Sequence, residues 1–259
     1  MPSLMTRVSD YYQQQRISPA GLAKFGCRHK PECRRVAREN GGGEPFVCGR
    51  AAGISSGYER RVPRVLILSA DWGRDRGSSP RERELGAMRQ RMESEAHDPE
   101  RSRRTSQWRE ECEIAKHVLG CSLREAPTFM ARTNSLKCCA NMPNSRQAPQ
   151  RMFDNCREYL RAEIELLSPD ILVTQGERAQ AVVENEFGRT IEFLRRWISN
   201  DRSGGIGKWS VAHISLGQRR LLWVRAPFPR SMSYHPTASE LDRCYARCAR
   251  KVANSRKDL

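Results

Sequence analysis

Three short apolar runs, each broken off by a polar turn, constrain this chain most. Arg64-Val65-Leu66-Ile67-Leu68-Ser69 ends at Asp71-Trp72-Gly73, Phe129-Met130-Ala131-Arg132-Thr133 runs into Asn134, and Ile171-Leu172-Val173-Thr174-Gln175 runs into Gly176. Near-continuous apolar runs of this length read as strands buried on both faces, as in parallel sheets. Parallel strands need crossovers, and Gln150 to Leu167 supplies one. Met152, Cys156, Leu160, Ile164 and Leu167 recur at helical spacing and Ser168-Pro169 stops the helix. A second helix is predicted from Arg178 to Ile198, further strands at Trp209–Ile214 and Leu221–Val224, and a basic closing helix from Ser239 to Val252. Strands alternating with helices predict an α/β fold, a three-layer α/β/α arrangement on a mainly parallel central sheet. Ligands of such sheets bind beyond the carboxyl ends of the strands. Asp71, Asn134 and His235, each placed after a strand, would therefore meet along one edge.

The segment from Met1 to about Tyr58 is polar, carries Cys27, Cys33 and Cys48 and contains Gly41-Gly42-Gly43, so it is expected to be a loop-rich cap. Residues 74–110 mix arginines and acids in near balance with few large apolar side chains, the pattern of a solvated helical insertion or a mobile loop. The 259 residues are otherwise read as a single domain, without internal repeats. No uncharged apolar run approaches the ~18 residues of a spanning helix, and the first residues have neither an apolar core nor a cleavage site of a secretory signal. A cytoplasmic monomer without a membrane is the expectation. Ten cysteines in a reducing compartment favour metal or cluster ligation over disulfides. Lys and Arg number 46 against 30 acids, a formal charge of +16, which favours a polyanion such as DNA or RNA as partner; a general arginine bias of the source proteome gives the same charge.

Taken one at a time, the candidate residues have plain structural readings: Asp71 as a helix N-cap, Asn134 as a turn former, His235 as a loop residue before proline. No glycine-rich phosphate loop follows any strand, which disfavours a nucleotide-binding protein. The joint pattern says more. Thr133-Asn134-Ser135-Leu136-Lys137-Cys138, then Asn155-Cys156-Arg157-Glu158-Tyr159-Leu160, then Pro169-Asp170-Ile171-Leu172-Val173-Thr174-Gln175-Gly176, and finally His235-Pro236-Thr237-Ala238 follow one another along the chain. In this order they resemble T-N-x-x-K-C, C-R-x-x-L, P-x-x-I-V-x-x-G and H-P-S-A of the uracil-DNA glycosylase superfamily, most closely its iron-sulfur branch, family 4. The resemblance spans Arg64 to Ser239.

That resemblance implies base flipping and hydrolysis of an N-glycosidic bond in DNA, because a duplex hides the bond from an enzyme. Asn134 would read the edge of the extruded base through its amide donor and acceptor. His235 would stabilise charge on the departing base. The loop from Arg225 to Ser239, with Arg225, Arg230, Ser231 and Met232, would hold phosphates and wedge into the gap. The first motif departs from the branch pattern. Ser69-Ala70-Asp71-Trp72-Gly73 stands where family 4 has G-E-A-P-G, and its acid falls at the third place, that of the catalytic Asp in the family 1 motif G-Q-D-P-Y. Asp71 is therefore the expected water-orienting catalytic residue, with Trp72 and Gly73 beside the base.

The cluster ligands carry over in part. Cys138 and Cys156 match the branch's third and fourth ligands, whereas its N-terminal C-x-x-C is replaced by Cys27 and Cys33, with five residues between them. Four thiolates suit a [4Fe-4S] cluster, with zinc the alternative and Cys48 and Cys139 rival ligands. Cys244 and Cys248, and the histidines His29, His97, His117 and His213, match no motif. Gly73 stands where family 1 has its excluding tyrosine, and the family 4 segment with the stacking Phe has no counterpart after Gly73; Trp108 is the nearest aromatic. The expected substrate is thus a C5-modified pyrimidine, a hydroxymethylated or glucosylated cytosine of phage DNA removed in antiviral defence. Ordinary uracil repair and a non-catalytic DNA-binding relative are the alternatives.

Overall fold

The computed structural model describes residues 2–19, 25–71, 77, 79–97, 106–143, 147–200 and 206–226. Along the chain run α1 (Leu4–Gln14), α2 (Lys30–Glu39), β1 (Val47–Cys48), β2 (Gly53–Ile54), β3 (Val65–Ser69), α3 (Leu85–His97), α4 (Ser106–Leu119) and β4 (Met130–Asn134). Then come β5 (Cys138–Cys139), α5 (Gln150–Leu167), β6 (Ile171–Gln175), α6 (Glu177–Phe187), β7 (Ile191–Asn200), β8 (Ile206–Leu216) and β9 (Arg219–Ala226). Seven strands form one sheet in the order β2-β4-β3-β6-β9-β8-β7. The central four, β4-β3-β6-β9, are parallel, and the flanking pairs are antiparallel. β1 and β5 make a separate two-stranded ribbon.

The sheet is covered on both sides, which is why its parallel strands are apolar on both faces. Leu66, Leu68, Ala131, Leu172 and Trp223 face a core shared with Leu4, Val8 and Tyr12 of α1, Cys33 of α2, Met152, Phe153 and Leu160 of α5 and Val182 and Val183 of α6. Val65, Ile67, Met130, Ile171, Val173 and Val224 face a second core with Met92 of α3 and Trp108, Cys112, Ala115 and Val118 of α4. Helix α5 ends where the sequence predicts, at Ser168 in the left-handed conformation (φ 51°) before Pro169. Gly176, at φ 83°, makes the turn from β6 into α6, a conformation that glycine adopts without a Cβ penalty.

Three expectations are corrected. The N-terminal segment is not a loop-rich cap: α1 and α2 pack against α5, because Leu4, Val8 and Tyr12 recur every fourth residue and bury one face of a polar helix. Residues 74–110, where they are described, are helical as expected but not merely solvated: Met92 of α3 and Trp108 of α4 are buried in the core beneath the sheet, and Met88 is buried beside the strand-edge cleft. Residues 191–198 are strand, not helix, since β7 pairs with β8 from Ile191↔Ile214 to Asn200↔Ile206. The proposed closing helix, with Cys244 and Cys248, lies outside the described residues. Among the described residues no helix is long and apolar enough to cross a membrane.

Candidate active site

The parallel register brings Asn134, Ser69, Gln175 and Ala226 level at the carboxyl edge of β4, β3, β6 and β9. The turns leaving β3 and β4 are fastened together: the N–H groups of Ser135 and Leu136 donate to the carbonyls of Ser69 (2.8 Å) and Ala70 (3.2 Å), and Ser135 Oγ donates to Ser69 O at 3.2 Å. These bonds hold Asp71 opposite Asn134. Both line a cleft of about 440 Å³, its solvent-open mouth included, together with Arg50, Ala51, Met88, Arg132 and Thr133. The backbone N–H of Ala148, just before α5, donates to Asp71 Oδ2 at 3.3 Å. Among the described residues no side-chain hydrogen bond engages the half-buried Asn134 amide, which leaves its donor and acceptor available to a ligand in the cleft.

Asn134 is held by its backbone instead. Lys137 Nζ donates to Asn134 O at 2.8 Å, to Thr133 Oγ1 at 3.0 Å and to Glu163 Oε2 at 2.5 Å. Thr133 Oγ1 donates to the Glu163 carboxylate, 3.1 Å from both of its oxygens, the Tyr12 hydroxyl donates to Glu163 Oε1, and the Ala52 N–H donates to the Tyr12 hydroxyl at 3.1 Å. Lys137 and Glu163 are buried, so the pair has little water to screen it. Burial together with the Glu163 charge raises the Tyr12 hydroxyl pKa well above its ordinary value.

A second buried carboxylate underlies the other side of the edge. Glu111 of α4 accepts from Ser69 Oγ at 3.3 Å and pairs with Arg132 Nη1 at 3.2 Å, and the Arg132 guanidinium lies 5.1 Å from the centre of the Trp108 ring. Trp108 is thus packed under Arg132 and not presented to the cleft as a stacking aromatic. Sequence reasoning missed Arg132 and Glu111. The one available signal was a charged residue inside the run Phe129–Thr133, two places before Asn134 and so on the same strand face.

Of the other expected site residues, Arg225 is tied into the fold by Glu184 (2.7 Å), Gln180 (3.1 Å) and the Trp223 ring. Trp72, Gly73, Arg230, Ser231, Met232 and His235 lie outside the described residues. Four segments bring the expected cysteines together on the α1–α5 side. Cys138, at the start of β5, shares hydrogen bonds with the thiols of Cys33 on α2 and Cys156 on α5, and Asn155 Nδ2 donates to Cys33 Sγ at 3.4 Å. The Lys137 N–H donates to Cys156. Cys27 receives the His29 N–H, shares a hydrogen bond with the Tyr159 hydroxyl, and feels the charge of Cys156 and Cys33 without bonding to either.

The hydrogen bond from Cys138 holds the Cys33 thiol down at about 7 and also lowers Cys156. Cys138 is raised by those same two bonds and then by burial, and burial raises Cys27. Of the rivals, Cys48 donates to Ile17 O (2.9 Å) and Cys139 to Asn141 Oδ1 (3.3 Å). Among the described residues no three Cys, His, Asp or Glu side chains already surround a common point as ligands of one metal ion do. Three of the four donors fit an iron-sulfur cluster in kind: Cys33, Cys138 and Cys156 share protons, and such thiols become a thiolate set once metal displaces those protons.

The family model of the uracil-DNA glycosylase superfamily matches residues 107–253, more than half of the chain. The chain belongs to the uracil-DNA glycosylase superfamily. The match begins on α4 and takes in the edge that carries Asn134, the cysteines Cys138 and Cys156, and β6 to β9. Membership points to glycosylase chemistry and to DNA as the partner. A search among curated proteins returned no match.

Proposed function

We propose that this superfamily member is a monofunctional DNA glycosylase of the iron-sulfur type that excises a C5-modified cytosine, hydroxymethylated or glucosylated, and leaves an abasic site. The observation that carries the reading is the juxtaposition of the Asp71 carboxylate and the unengaged Asn134 amide in one cleft at the strand edge. The nucleotide is flipped so that its base enters the cleft, since the glycosidic bond is out of reach within the stack. Asn134 binds the base edge with its carbonyl oxygen and NH₂. Asp71 accepts a hydrogen bond from water and aims its oxygen at C1′ while stabilising the positive charge that develops on the sugar. The C1′–N bond breaks with its electron pair leaving on the base, the water oxygen bonds to C1′, and the water proton passes to Asp71. His235 is assigned to donate to the leaving base.

Gly73, at a place where family 1 has its excluding tyrosine and family 4 also has glycine, permits a C5 substituent; the assignment rests on the missing stacking segment after Gly73 and on two arginines, Arg50 and Arg132, lining the cleft. Bases of that kind belong to phage DNA, which makes defence the proposed role. Cys27, Cys33, Cys138 and Cys156 would hold a [4Fe-4S] cluster, which supplies a structural crosslink between α2, β5 and α5. Abasic-site formation on matched duplexes containing cytosine, uracil, hydroxymethylcytosine or glucosylated hydroxymethylcytosine tests the reading. Cleavage of the modified cytosines supports it, and cleavage of uracil alone makes the protein a repair enzyme.

A further inference from the structure

Arg132 is an unusual strand residue. It sits in the middle of β4 between Gly53 of β2 and Ile67 of β3, among neighbours that are small or apolar. Its stem passes close to the strand opposite: a Cβ on Gly53 would stand 3.1 Å from Arg132 Cγ and closer still to Met92 Sδ, so glycine at 53 leaves room for both side chains. The guanidinium at the end of that stem rests on the Trp108 face at 5.1 Å and beside the fully buried Glu111 carboxylate at 3.2 Å. Glu111 supplies charge, yet among the described residues Arg132 makes no hydrogen bond, so five N–H donors in a planar fork are left over. They border the cleft. Two strand residues on, about 6.6 Å away at ~3.3 Å per residue, the Asn134 amide projects from the same face.

A positive group held in place by a buried carboxylate and an indole, with its donors unused, is built to receive oxygen acceptors. We infer that Arg132 is a specificity-determining residue that hydrogen-bonds the oxygens of the substituent on C5, while Asn134 reads the ring edge. This rests on the reading of the cleft as the base pocket. The selected substrate class is then a pyrimidine whose C5 group carries hydroxyls. Glu111 and Trp108 act through Arg132 as positioning residues, and Ser69, by donating to Glu111 at 3.3 Å, fixes the carboxylate.

The test is single-turnover excision by wild type, Arg132→Met and Arg132→Lys on duplexes with uracil, hydroxymethylcytosine or glucosylated hydroxymethylcytosine, with thermal melts of all three proteins. Methionine keeps the apolar stem on Trp108, and lysine keeps the charge beside Glu111 without the planar fork. Arg132→Met should lower the rate on the hydroxyl-bearing bases relative to uracil about 10- to 100-fold, the loss expected for one charge-assisted hydrogen bond, with partial recovery in Arg132→Lys. An equal loss on every base, as from a phosphate contact or a purely structural role, overturns the assignment. So does a wild type that acts on uracil alone, which leaves the glycosylase reading intact. A wild type that excises none of these bases overturns the glycosylase reading and the Arg132 assignment together.

Discussion

Lys137→Met would cut the buried network that holds the turn carrying Asn134. Lys137 is 5% exposed at its side chain and Glu163 0%, at 2.5 Å from one another, and the lysine also donates to Thr133 and to the carbonyl of Asn134. Removing the ammonium leaves the Glu163 carboxylate in the core with, among the described residues, only the hydroxyls of Thr133 and Tyr12 as donors. A buried charge stripped of its partner costs about 3–5 kcal/mol. At ~2–4 °C per kcal/mol for a chain of this size, the midpoint should fall by on the order of 10 °C. The double variant Lys137→Met/Glu163→Gln removes both charges, so it should be destabilised by less than the sum of the single variants, with a coupling of about 1–3 kcal/mol. Urea denaturation of the four proteins, followed by far-ultraviolet circular dichroism, measures this cycle. A loss below about 1 kcal/mol for Lys137→Met, or full additivity, would refute the claim that this pair anchors the turn.

Asp71→Asn should keep DNA binding and lower excision about 10²- to 10⁴-fold, the range of a lost acid-base group; comparable loss of both would give Asp71 a structural role. The protein purified without oxygen should contain iron and acid-labile sulfide, and Cys138→Ser should lose them; one zinc and no iron would assign the thiols to zinc instead. Glu44 is held down to about 2 by Arg34, with the Phe46 N–H and Arg38 adding to it, and so ties α2 to the chain entering β1. A depressed carboxyl stabilises the fold above its unfolded value of 4.5, and that contribution fades as pH falls towards 2. Glu44→Gln should thus lower the melting point at pH 7 and converge with wild type near pH 2; an unchanged difference at acid pH would contradict it.

The strands β3, β4 and β6 and the helix α5 are legible in the sequence because burial on both faces, or on one helical stripe, leaves an unbroken apolar signature. The N-terminal helices are not, because three buried residues in an eleven-residue helix are outnumbered by polar ones, and only the spacing of Leu4, Val8 and Tyr12 betrays the face. β7 was read as helix for a related reason. Phe193 and Trp197, and Leu194 and Ile198, stand four apart in the sequence, the spacing of one helix face, and only pairing with β8, through a register shift between Phe193 and Arg195, makes the segment a strand. Asp71 and Asn134 could be placed on one edge from topology alone. The buried charges could not: nothing in Arg109-Glu110-Glu111-Cys112-Glu113 shows which acid turns inward, and that depends on the phase of α4 against the sheet.

Base release is the property from which the rest follows. The deciding measurement is an abasic-site assay on duplexes alike except for one base, cytosine, uracil, hydroxymethylcytosine or its glucosylated form, with Asp71→Asn as control. The account predicts alkali-labile sites at the modified cytosines with wild type and at least about 100-fold slower formation with Asp71→Asn. Intact strands in every duplex, under conditions where the wild-type protein binds the DNA, would contradict it and leave a DNA-binding protein that keeps the glycosylase fold without its chemistry.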